Sequence, residues 1–134
     1  LHDLLRKLSA EHTELQQALA GIRPRQFRTE EGKSRLARVR SLFRTHALTE
    51  KEQLYPAIED AARADARLAG RLQHLNDDLR VVTSLAEDFF AKYEQGEPAL
   101  VEFATDHGAL LTILRIRLKR EEETVFPLFE RIMN

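Results

Sequence analysis

The sequence predicts an all-α fold, an up-down-up-down antiparallel four-helix bundle, from three observations. Glycine and proline number only 5 and 4 in 134 residues, and 32% of residues are charged; this composition suits long amphipathic helices better than strands. Apolar residues recur at steps of three and four through four separate segments. The breaks between the segments are short, and short connections between long helices make neighbours antiparallel.

The first segment carries Leu5, Leu8, His12, Leu15, Leu19 and Ile22 on one stripe and ends at "GIRPRQF" (21–27). The second carries Leu36, Val39, Phe43, His46, Glu50 and Leu54. Pro56 and an alanine-rich run are expected to close it, with a third helix starting near Asp65. That third stripe reads Leu68, Leu72, Leu75, Leu79, Val82, Phe89 and Tyr93, with His74 and Asp78 on its flank. "YEQGEP" (93–98) breaks the chain again, and Pro98 suits a first helical turn. The fourth stripe is Leu100, Phe103, His107, Leu110, Leu114, Arg117, Glu121, Val125 and Leu128.

The length fits one domain spanning 1–134, with a single core. Lys plus Arg number 21 against 22 for Asp plus Glu, a net charge of -1. No basic field is present to hold nucleic acid. Cysteine is absent, which excludes disulfides and thiolate chemistry and leaves nitrogen and oxygen as the only metal donors. No apolar run approaches the roughly 20 residues of a membrane span, and the start lacks the order of a signal peptide. A soluble, cytoplasmic protein is expected. A first residue of leucine reads as a trimmed product or a module taken from a longer chain.

Several seam positions are polar where leucine is expected: His12, His46, Glu50, Arg117 and Glu121. Aligned on proline, "HALTEKEQLYPAIE" (46–59) lies over "RLKREEETVFPLFE" (117–130), matching Glu50 with Glu121 and Pro56 with Pro127. Two copies of one helix pattern, each delivering a core carboxylate, are what a pseudo-symmetric metal site inside a bundle requires. Four residues rise about 6 Å and return to the same face, so His46 and Glu50 can reach one cation. His107 lies too far along its helix to join them and reads as a core or interface histidine; His2 falls off the stripe and reads as solvated. In "KREEE" (119–123) only Glu121 is expected to point inward, and Arg35 and Arg38 fall on the outer face.

In these features the chain resembles the haemerythrin-like family, the HHE cation-binding domain. The resemblance rests on His12, on H-x-x-x-E at His46 and Glu50 followed by "LYP", on His74, and on the E-E-x-x-x-F-P end of the fourth helix from Glu121. It covers nearly the whole chain. It implies non-haem iron, one or two ions, held by His12, His46, Glu50, His74 and Glu121, with zinc, manganese or no metal as alternatives. One departure matters. The family's fourth-helix histidine is Arg117 here, and a guanidinium has no lone pair to donate. Asp78 likewise stands where oxygen carriers place a second third-helix histidine, so it is read with Arg117 as an additional or supporting residue.

The resemblance therefore implies one complete pocket, His12, His46, Glu50 and Glu121, with Arg117 as a charge substitute held by Glu121, Glu50 or Asp78. It points to oxygen, nitric oxide, peroxide or redox sensing, or to iron handling, rather than oxygen transport. The expected partners are a metal ion and a small diatomic or peroxide ligand. The alternative is a metal-free interaction domain, with a protein partner, in which a buried charge network sets the register of the bundle. No catalytic residue is assigned.

Overall fold

The computed structural model describes residues 2–95 and 98–134, and no strand occurs among them. The first helix, α1 (Asp3–Ala20), is capped by His2, whose Nδ1 accepts a hydrogen bond from the Leu4 amide at 3.1 Å. A 3-10 turn at Pro24–Gln26 follows and drops Phe27 into the core, stacked on Phe103 with ring centroids 4.3 Å apart. Thr29 then caps α2 (Glu30–Thr49), accepting from the Gly32 amide at 3.0 Å. The turn folds back so tightly that a Cβ on Gly32 would stand 1.9 Å from the Gln26 carbonyl oxygen; only glycine fits this approach.

Pro56 does not end the second helix as expected. The chain passes from α2 through a π-turn, π1 (Glu50–Leu54), into α3 (Tyr55–Ala62), with Pro56 in the first turn of α3. A proline lacks the amide that an α-helix needs and its ring presses on the carbonyl one turn back; the wider π-turn gives it room. The same device recurs at Pro127: α5 (Leu100–Arg120) passes through π2 (Glu121–Val125) into α6 (Phe126–Met133). The internal echo in the sequence is thus a repeated structural device, and each π-turn begins at the seam carboxylate. Between these rods lies α4 (Ala66–Tyr93), capped as expected by Asp65, which accepts from the amides of Arg67 and Leu68. The break expected over 93–98 includes Gly96 and Glu97, which lie outside the described residues.

α1 packs on α2 and α5, α4 on α5 and α3, and α3 on α6. Their inward stripes form two apolar clusters. One gathers Leu15, Phe43, Phe90, Tyr93, Phe103 and Leu114; the other gathers Leu5, Leu8, Leu54, Ile58, Leu72 and Phe129. Each such side chain, fully buried, is worth about 1.5–3 kcal/mol. His12 falls between Leu8 and Leu15, His46 and Glu50 between Phe43 and Leu54, and Arg117 and Glu121 between Leu114 and Val125. A buried polar layer therefore separates the two clusters. Leu100 departs from its stripe, 42% exposed, and Ala86, absent from the expected seam, is fully buried. No helix among the described residues is long and apolar enough to cross a membrane.

Candidate metal centre

Four side chains converge in the polar layer: His12 from α1, His46 from α2, Glu50 at the start of π1 and Glu121 at the start of π2. All four are buried, and one donor atom from each lies within 4.8 Å of the others. His12 Nε2 is 2.9 Å from Glu121 Oε1 and 4.0 Å from Glu50 Oε2. His46 Nε2 is 3.2 Å from Glu50 Oε2 and 3.8 Å from Glu121 Oε1.

The outward ring nitrogens are tied as well. His12 Nδ1 lies 3.0 Å from Glu122 Oε2, and the Ser9 hydroxyl donates to the other oxygen of Glu122 at 2.8 Å. His46 Nδ1 lies 2.8 Å from Glu11 Oε1. A carboxylate on Nδ1 keeps the proton there, so each ring turns Nε2 to the centre in the orientation a ligand histidine needs. Phe126 stacks on His12 and the two imidazoles meet edge to face, which limits how either ring can rotate.

Without a metal the charges lean on one another. Burial alone would lower the pKa of His12, but hydrogen bonds and charge from Glu121, Glu50 and Glu122 outweigh it and hold the ring at about 9. His46 is likewise opposed by burial and raised by Glu121, Glu50 and Glu11, to about 10. Glu50 is pushed up by burial and by Glu121 beside it. For Glu121 burial pulls upward, yet Glu50 and the two histidines win and its pKa falls. Protons thus stand where a cation would otherwise balance two carboxylates.

The donor set fits a divalent cation. Among the described residues His46 Nε2 and Glu50 Oε2 are buried and find no hydrogen-bond partner, not even each other at 3.2 Å. Orphaned buried polar atoms are costly, and two of them facing one point are accounted for by an ion between them. Two imidazole nitrogens with two carboxylate oxygens suit iron, manganese or zinc.

Arg117, only 4% exposed, lies on the far side of Glu121. Its Nη2 donates to the Tyr55 hydroxyl at 2.7 Å and approaches Glu121 Oε2 at 3.5 Å. Tyr55 in turn donates to the same oxygen at 3.4 Å. Glu121 thus presents Oε1 to His12 and Oε2 to Arg117, joining the imidazole pair to a guanidinium. Burial, together with the Glu121 charge, pushes the Tyr55 hydroxyl well above its usual range.

A family profile described as the haemerythrin HHE cation-binding domain matches residues 2–129. The chain belongs to the haemerythrin HHE family. The match contains all four converging residues and both π-turns of this haemerythrin domain. Comparison with curated proteins and with solved structures gives no match.

Other residues singled out in the sequence lie elsewhere. His74 is exposed on α4, outside the converging group, and Asp78 pairs with Arg120 rather than with Arg117. His107 is a core histidine, its Nε2 2.6 Å from the Leu19 carbonyl oxygen. His2 is exposed and serves as the α1 cap. Glu121 is not alone in turning inward from "KREEE", because Glu122 reaches His12 as well. Sequence reasoning missed Glu11, Glu122 and Tyr55. The first two are carboxylates one position from a ligand-type residue, a signal easily taken for solvated helix surface.

Proposed function

We propose that this chain is a single haemerythrin-like domain, an antiparallel up-down-up-down bundle, that holds one non-haem iron ion on His12, His46, Glu50 and Glu121. Arg117 takes the place of a second metal. The observation that carries this reading is the convergence of four buried donor atoms, with both imidazoles held Nε2-inward by Glu11 and Glu122. Bound iron supplies a redox-active centre with affinity for oxygen, nitric oxide or peroxide. The chain's part is to orient the two imidazoles, to balance the cation with two carboxylates, and to exclude water with the two apolar clusters. With the guanidinium fixing Glu121 Oε2, sensing or iron handling is favoured over oxygen transport, which in the family relies on a two-iron centre.

Elemental analysis of protein purified without chelators, alongside Arg117→His, tests this. About one iron per chain, rising toward two in the variant, supports the assignment. Zinc or manganese in its place would keep the site and change the metal. A second reading, a metal-free scaffold, draws on the 2.9 Å contact of His12 with Glu121 and on the Arg117–Glu121 pair, which supply cationic partners without an ion. It predicts no metal in either form and no rise in melting temperature on adding iron, zinc or manganese, whereas a metal bound only by the folded state must raise it.

A further inference from the structure

Outside the core, α4 and α5 each carry a second stripe at the same steps of three and four: Asp78, Val81, Leu85, Asp88 and Lys92 on α4, and Asp106, Ala109, Ile113, Ile116 and Arg120 on α5. Such spacing keeps each set on one side of its helix. Two ion pairs fix how the stripes lie side by side. Arg120 pairs with Asp78 at one end, and Lys92 with Asp106, at 2.8 Å, at the other. Leu85 and Ile113, each midway between the charged ends of its own stripe, therefore stand level, and both line one groove. Val81 and Ile116 stand level one turn nearer the Asp78 end. Val81 is 59% exposed, Ile116 55% and Leu85 41%. Large apolar side chains so exposed on adjoining turns form a patch rather than scattered single residues.

The charges around the patch select its occupant. On α4 the acid stands at one end and the base at the other, and on α5, which runs antiparallel beside it, the pairing places the opposite charge at each end. Acid and base therefore alternate around four corners. A two-fold axis in this face, parallel to the helices, lays α4 of a second copy over α5 of the first. Every corner then meets its opposite: Asp78 faces Arg120 of the second copy, and Lys92 faces its Asp106. Between the corners Val81 meets Ile116, Leu85 meets Ile113, and Asp88 falls over the small Ala109. Each residue thus finds across the axis the neighbour it already has within its own chain. A partner of uniform charge, such as nucleic acid or a basic or acidic peptide, meets two like charges whichever way it lies.

We infer that the outer face of α4 and α5 binds a second copy of this chain, about a two-fold axis parallel to the two helices. From Asp78 to Lys92 the stripe runs about 21 Å. That is small for a specific interface, which makes the pair a reversible one. The face shares no residue with the converging four, so the inference does not rest on the metal.

Sedimentation equilibrium of the full chain at concentrations up to about 500 µM tests it. A reversible monomer–dimer equilibrium is expected. Val81→Lys and Leu85→Glu, both at exposed positions, should each weaken it about tenfold or more, with helical content and metal content at the wild-type values. Asp78→Arg and Arg120→Asp, each alone, set like charges against one another across the axis and should also weaken it about tenfold. An equal mixture of these two variants should recover the dimer, because the substituted side chains are opposite in sign and meet only between unlike copies. Within each variant chain the ion pair stays broken, so recovery reads the contact between copies alone. A chain that stays monomeric at every concentration overturns the inference. So does a dimer that survives Val81→Lys or Leu85→Glu unweakened, or one that the mixture fails to restore.

Discussion

Raising the pH should tighten metal binding steeply, in a range where ordinary histidines have stopped responding. In the metal-free fold His12 sits at about 9 and His46 at about 10, against 6.5 for an unperturbed imidazole. Near neutral pH both rings carry a proton that must leave before Nε2 can donate to a cation. Displacing two protons makes the apparent association constant rise about a hundredfold for each pH unit. The slope persists until the pH approaches the lower of the two values. Unshifted histidines would already be bare above about pH 7.5 and would give almost no slope there. Glu50, raised by burial and by Glu121, adds to proton release toward the acid end. Titrating zinc into chelator-stripped protein at pH 7.5, in buffers of different ionisation enthalpy, counts the protons directly by calorimetry. About two per metal is the expected result. A count near zero would show that both imidazoles are neutral before the metal arrives, and the electrostatic account of the polar layer would be wrong.

Three further outcomes follow from the same geometry. In the metal-free protein the raised histidines stabilise the fold fully below pH 6.5, and this contribution is lost as the pH climbs through 9 and 10; the melting temperature should fall over that range, and the metal-loaded form should not follow it. Glu11→Ala and Glu122→Ala each free one ligand imidazole to rotate and should lower metal affinity about 10- to 100-fold, with unchanged helical content by circular dichroism. Gly32→Ala places a Cβ against the Gln26 carbonyl and should lower the melting temperature by several degrees, while metal bound per folded chain stays constant.

Most of the seam was legible because burial follows helical spacing: every residue read into the first two stripes is buried. The four converging side chains were legible for the same reason, since a histidine or glutamate in a leucine position must be accounted for. His74 had no such support, and a histidine on a flank is as readily solvated, which is where the structure puts it. Glu11 and Glu122 were opaque because a carboxylate beside the seam usually faces water, and only tertiary packing shows that a ring nitrogen waits for it. Pro56 misled through a local rule, proline as helix breaker, which the packing of α3 on α6 overrides. The π-turns did leave a trace. The buried residues 46, 50, 54 and 58, and again 117, 121, 125 and 129, advance by steps of four. In a straight α-helix each such step drifts about 40°, and a wider turn takes up the drift.

Each π-turn also works as a phase shifter. One residue of α-helix corresponds to about 100° of rotation, and the widened turns at Glu50 and Glu121 each absorb one extra residue, so that α3 and α6 continue the inward face of α2 and α5. Deleting Lys51 would let the chain run on from α2 as regular α-helix with Leu54 seven residues after His46, still facing the core that it and Ile58 share with Leu5 and Phe129. The extra residue of each π-turn is therefore spent on the polar layer and not on the apolar core: its removal spares the inward face and changes only the turn that carries Glu50 or Glu121.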